Sequence, residues 1–112
     1  MSLSTEQAAF LLDACKLIQY ATDQGFMVTG GELARTHEQQ AIYFKTGRSK
    51  TMKSIHLKRC AIDLNFFKDG KIIWDKDTIA PLGVYWESLH PKNRWGGHFS
   101  NLVDCPHFER NA

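Results

Sequence analysis

At 112 residues and 12.8 kDa the chain has the length of one domain, too short to hold a nucleotide-binding domain beside a separate substrate domain. Its 43% hydrophobic, 12% aromatic and 23% charged residues can build one core and exclude the disordered and collagen-like classes. A formal charge of +2, from 14 basic and 12 acidic side chains, lacks the excess of a dedicated nucleic-acid binder, so no nucleic-acid partner is expected.

The opening residues, Met1 to Glu6, show no basic stretch followed by an apolar core, so no secretory signal is expected and synthesis would end in the cytoplasm. Asp13 and Lys16 interrupt the longest apolar candidate, so nothing approaches the roughly 20 residues needed to span a bilayer and no stable membrane association is expected. Cys15, Cys60 and Cys105 are odd in number and form no C-x-x-C pair, so they are read as reduced.

Ser4 followed by Gln7 has the form of a capping box, and Phe10, Leu11, Ala14, Leu17, Ile18 and Ala21 recur at helical spacing, predicting a helix over 4–24 that Gly25 ends. Phe26 to Thr29 is a short strand candidate leading into Gly30-Gly31. Thr36 with Gln39 suggests a second helix that stops at Gly47, followed by a polar loop from Arg48 to Lys53. From Ala61 to Trp74 the alternation of Ile62, Leu64 and Phe66 with Asp63 and Asn65, ending at Asp69-Gly70, predicts a β-hairpin with one apolar and one polar face. That polar face could hold a site. Pro81, Leu82, Trp86 and Leu89 predict a third helix over 80–90, and the tail reads as two short strands joined by a turn. Trp86 is expected in the core, and Trp74 is expected to close the hairpin against a helix.

Neutral imidazole ligates zinc and also serves as an acid or base, which makes the histidines worth sorting. His56 lies seven residues before Asp63 and His107 three after Asp104, giving H-x6-D and then D-x-x-H. A catalytic zinc takes three protein ligands and leaves one position open, so four such groups would leave one spare to act as a base. Spacing alone equally admits an exposed strand aspartate, a turn aspartate and two satisfied histidines. Pro106 biases Cys105 away from the helical region, which places Asp104 and His107 on turned or extended backbone. His37, His90 and His98 read as solvent-facing.

The run Ser54-Ile55-His56-Leu57-Lys58-Arg59-Cys60-Ala61-Ile62-Asp63 resembles the S-x-H-x-x-G-x-A-x-D signature of the zinc D-alanyl-D-alanine peptidases, with Arg59 at the glycine position. Trp95-Gly96-Gly97 and then Asp104-Cys105-Pro106-His107-Phe108-Glu109 resemble the second motif of that family, and Arg35-Thr36 with Glu38-Gln39-Gln40 resemble its upstream arginine segment. The branch most similar is that of phage endolysins cutting the L-alanyl-D-glutamate bond of peptidoglycan. The resemblance implies an α+β fold, a small antiparallel sheet carrying the zinc site and flanked by about three helices, as in Hedgehog-like and D-Ala-D-Ala peptidase-like domains.

It further implies His56, Asp63 and His107 as ligands of one Zn²⁺, Asp104 as general base, and Arg35 facing the scissile carbonyl to stabilise the oxyanion or hold a substrate carboxylate. Ser54 would donate a hydrogen bond to substrate or orient His56, and Trp95, next to two glycines and near the proposed site, could line a substrate groove. Residues 1–112 would be one metallopeptidase domain with no separate wall-binding domain, a monomer whose partner is the peptidoglycan stem peptide. It would reach the wall as a phage or prophage lysis enzyme, released through a membrane pore. Two alternatives stand beside this one: a D-alanyl-D-alanine carboxypeptidase or dipeptidase of the same fold, and a non-catalytic zinc-stabilised wall-binding module.

Overall fold

A computed structural model describes residues 2–31, 60–100 and 102–111 of the chain. Helix α1 (Leu3–Asp23) buries Phe10, Ala14, Leu17 and Ala21, the stripe its periodicity predicts. Its cap is Ser2, whose Oγ accepts the Thr5 amide at 3.2 Å, rather than the expected box at Ser4: the extended backbone at Ser2 lets its hydroxyl turn back onto the first turn. Strand β1 (Met27–Gly30) follows. The predicted hairpin is present as β2 (Ala61–Lys68) and β3 (Lys71–Ile73). Asp69 and Gly70 both have positive φ, 53° and 77°, which suits a two-residue turn between right-twisted strands.

Helix α2 (Lys76–Leu89) begins earlier than the sequence suggests, because Asp75 caps it by accepting the Thr78 amide at 2.9 Å. Pro81 therefore sits in the second turn, and Trp74, expected to pack on a helix, is 61% exposed just outside the cap. Strand β4 (Asn93–Trp95), a 3₁₀ turn (Gly96–His98) and strand β5 (His107–Arg110) complete the described chain. The class is α+β as expected. Two α-helices stand among the described residues, and the further helix expected near Thr36 to Gly47 lies outside them.

All pairings are antiparallel, in the order β1-β2-β5-β4, with β3 on the C-terminal end of β2. Side chains alternate across a strand. One sheet face therefore carries Leu64, Phe66, Phe108 and Trp95 into the core beneath α1 and α2, while the other carries Asp63, His107, Glu109 and Arg94. The core is strung on edge-to-face rings: Phe10, Trp86, Phe108, Phe66 and Phe26 follow one another with centroids 5.5–6.0 Å apart. Trp86, as expected, is fully buried, and its indole N–H reaches Glu109 O at 3.0 Å and Arg94 O at 3.2 Å, tying α2 to both strands below the polar face.

Gly83 is where α2 rests on Trp95. A Cβ there would lie 2.2 Å from the indole, and the ring cannot retreat because Gly97 closes on its other edge with the same clearance. Gly83→Ala is expected to destabilise the fold despite alanine's advantage of about 1 kcal/mol in a helix, since overpacking of a closed core costs typically 1–3 kcal/mol. Urea unfolding of the two proteins checks this; a more stable variant would show that helix and ring can separate.

Candidate active site

The polar face gathers its side chains through strand register. Asp63 stands directly opposite His107, and Glu109 stands opposite both Ala61 and Arg94. In antiparallel pairs such residues share a face, so a single strand, β5, brings a histidine and a carboxylate alongside an aspartate 44 residues earlier in the chain. His107 Nδ1 lies 3.3 Å from Asp63 Oδ1.

Asp104 comes from the loop before β5, and backbone hydrogen bonds hold that loop rather than helical geometry. The Asp104 amide donates to Gly96 O at 3.0 Å, the His107 amide donates to Asp104 O at 3.1 Å, and the Leu64 amide donates to Pro106 O at 2.9 Å. The approach at Gly96 is so close that a Cβ would fall 2.0 Å from Asp104 O. Trp95 completes the support, its indole N–H donating to Cys105 O at 2.8 Å. The result is that Asp63, Asp104 and His107 each offer a ligand atom within 4.8 Å of the others. His107 is buried and the two aspartates half-buried.

The donor set suits a metal. Two carboxylate oxygens and one imidazole nitrogen at such separations can share one divalent cation, and histidine with aspartate is within the ordinary zinc repertoire. His56, the third ligand the family resemblance implies, lies outside the described residues, as do Arg35 and Ser54.

Trp95 has a different place from the one expected. It is fully buried, packed between Gly83 and Gly97, so it does not line a substrate groove but shores up the Asp104 loop from below. His98 is exposed as expected, although its Nδ1 lies 2.8 Å from Glu87 Oε1, while the other Glu87 oxygen accepts the Trp95 amide.

Reading residue types singly missed Glu109 and Arg94. Glu109 Oε1 is 2.6 Å from His107 Nε2, and its second oxygen is gripped by Arg94 through Nε at 2.9 Å and through Nη2. The available signal was H-x-E on a strand, whose period of two puts both side chains on one face. Phe99 lies beside this group, 5.6 Å from the His107 ring and beneath the Arg94 guanidinium.

Burial opposes charge on His107, but its hydrogen bonds to Asp63 and Glu109, together with their negative charges, outweigh it and push its pKa up to about 9. Burial alone would raise Glu109, yet His107 and Arg94 hold it below the usual carboxylate range. The Cys105 thiol is pushed up, first by burial and then by the charge of Asp104, so it remains a thiol at neutral pH.

These shifts have a consequence for the metal-free protein. His107 has a folded pKa above its unfolded value of 6.5, so its contribution is complete below that pH and is lost as pH rises through about 9. Glu109 is depressed, so its contribution is present above the normal carboxylate range and is lost on acidification. Chelator-treated protein is expected to show its highest urea midpoint between about pH 5 and 6.5 and a decline toward pH 9. Midpoints that stay flat across pH 6.5–9 would remove His107 from the metal-free protein's stabilising contacts.

The known proteins that this chain is similar to are peptidases. The family model described as D-alanyl-D-alanine carboxypeptidase matches residues 47–110. The chain is 35% identical over 101 residues to an L-alanyl-D-glutamate peptidase of Listeria phage A118, a match that covers 88% of this chain and 35% of the relative. The chain thus spans about a third of that relative's length. Among solved structures, the fold is similar to the L-Ala D-Glu endopeptidase ChiX of Serratia marcescens, with a TM-score of 0.71 and 26% identity, covering 88% of this chain and 78% of that one.

Proposed function

The chain belongs to the D-alanyl-D-alanine carboxypeptidase family of peptidases, and on that premise we propose that it is a zinc endopeptidase cleaving the L-alanyl-D-glutamate bond of the peptidoglycan stem peptide. The observation that carries the reading is the convergence of Asp63, Asp104 and His107 on one sheet face, in a chain whose similar proteins bear that bond in their names. Residues 1–112 are read as one catalytic domain, acting as a monomer. The phage relative supports a role in phage or prophage lysis, with the wall reached through a membrane pore. Among the described residues no helix is long and apolar enough to cross a membrane.

In this reading His56, Asp63 and His107 hold the zinc, which when bound polarises the scissile carbonyl and makes water acidic near neutral pH. Asp104 is the proton carrier. Its carboxylate takes the proton of the attacking water and delivers it to the departing D-glutamate amine, so one group serves as base and then as acid. Its loop is pinned by backbone hydrogen bonds on both sides, so the carboxylate need not be gathered in during reaction. Arg35 is proposed to stabilise the oxyanion with its permanently charged, rigid fork, and Ser54 to donate a hydrogen bond to substrate.

Mass spectrometry of peptidoglycan fragments after incubation with the zinc-loaded protein tests the reading. N-acetylmuramyl-L-alanine ends with a new D-glutamate amine are the expected products. The description of the matching family favours one other outcome, loss of terminal D-alanine alone, which would replace the endopeptidase by a carboxypeptidase. No cleavage at stoichiometric zinc would favour a wall-binding module.

A further inference from the structure

We propose that Glu109, clamped by Arg94, is a positioning residue for His107, a role that rests on reading His107 as a metal ligand. The Glu109 side chain is 6% exposed, and both of its oxygens are committed. One lies 2.6 Å from His107 Nε2, and the other accepts Nε and Nη2 of Arg94, the cross-strand partner of Glu109. Its backbone is fixed as well, because the Trp86 indole donates to Glu109 O at 3.0 Å.

An ionised carboxylate only accepts hydrogen bonds. The Glu109 contact therefore places a proton on Nε2 and turns Nδ1 toward Asp63, 3.3 Å away, and the Asp104 loop. A histidine on a strand has two χ angles and two usable nitrogens. Glu109 removes that choice before any ligand arrives, and Arg94 removes the corresponding choice from Glu109. Burying a carboxylate is unfavourable, and an apolar side chain would fill the same space. What the carboxylate adds is a directed acceptor, the arrangement by which outer partners orient metal-binding histidines.

The test uses the full chain, zinc alone as the probe, and the variants Glu109→Gln and Glu109→Ala. In the zinc-loaded wild type the ¹⁵N–¹H spectrum of His107 is expected to show a slowly exchanging proton on Nε2. Glu109→Gln keeps one acceptor oxygen but loses the charge, so that proton shifts and exchanges faster, and zinc affinity by chelator competition falls less than in Glu109→Ala. Glu109→Ala is expected to bind zinc roughly 10–100-fold more weakly. Thermal melting of the metal-free proteins separates this from a purely structural role, which would lower stability and leave both spectrum and affinity unmoved.

A wild-type His107 without a proton on Nε2 overturns the inference. So does a Glu109→Gln protein matching the wild type in spectrum and zinc affinity, and this variant decides the matter if Glu109→Ala does not fold. A wild type that binds no zinc overturns the metal reading and this inference with it, whereas normal zinc binding with insensitive variants overturns this inference alone.

Discussion

Asp104→Asn is expected to lower the rate of stem-peptide hydrolysis by roughly 10²–10⁴-fold while one zinc per chain stays bound. The substitution keeps size and shape but removes the ability to take up a proton. The local structure has little reason to change, since the loop is held by main-chain atoms: the Asp104 amide on Gly96 O, the His107 amide on Asp104 O, and the Trp95 indole on Cys105 O. Fragment release measured against zinc content separates three outcomes. Slow turnover at full zinc supports Asp104 as the proton carrier. Turnover at the wild-type rate removes it from the mechanism, and loss of zinc would make Asp104 a ligand instead, a role its position beside Asp63 and His107 also permits.

The largest expected change in stability lies on the opposite face of the same strand. Arg110 is 3% exposed and reaches Asp13 Oδ2 of α1 at 2.5 Å and Glu6 Oε2 at 3.7 Å, while its Nε donates to Asn93 Oδ1 at 3.1 Å. Asn93 in turn donates to Asp13 Oδ2 and to Trp86 O, both at 3.1 Å. One guanidinium thus joins the first helix to β4 and β5, and two carboxylates depend on it. Arg110→Ala would leave both carboxylates buried beside a cavity, and removing one partner of a buried ion pair costs typically about 3–5 kcal/mol. That is a large share of the roughly 5–15 kcal/mol that holds a domain together. Urea unfolding should therefore show a collapse of the midpoint, with partial recovery when Asp13→Asn is added. A loss below about 1 kcal/mol would mean that water replaces the guanidinium at little cost. Zinc binding and catalysis should suffer only through this loss of folded protein, because Arg110 points away from His107.

Local patterning was sufficient for much of this protein. Helical periodicity from Phe10 to Ala21, the alternation through Asp63 and the Asp69-Gly70 turn each depend on neighbours within a few residues, so α1 and the β2-β3 hairpin were legible in the sequence. The ordered motifs around Asp63 and around Asp104 to His107 indicated the family, and the polar face of the hairpin does carry Asp63 to His107. Helix ends were less legible because caps compete: Ser2 and Asp75 prevail over Ser4 and Pro81 through backbone geometry that no spacing rule contains. Tertiary packing alone decided the rest. Trp95 looks like a groove residue beside two glycines, but its indole is buried against Gly97 and, from α2, Gly83, whose missing Cβ atoms make room for it, while Gly96 makes room for Asp104 O. Nothing in the residues next to Arg94, Glu109 and Arg110 names the partners that they meet across the sheet and on α1. Strand register makes two of them a clamp on a histidine and the third a buried anchor for a helix nearly the whole sequence away, because burial and partnership are properties of the assembled sheet.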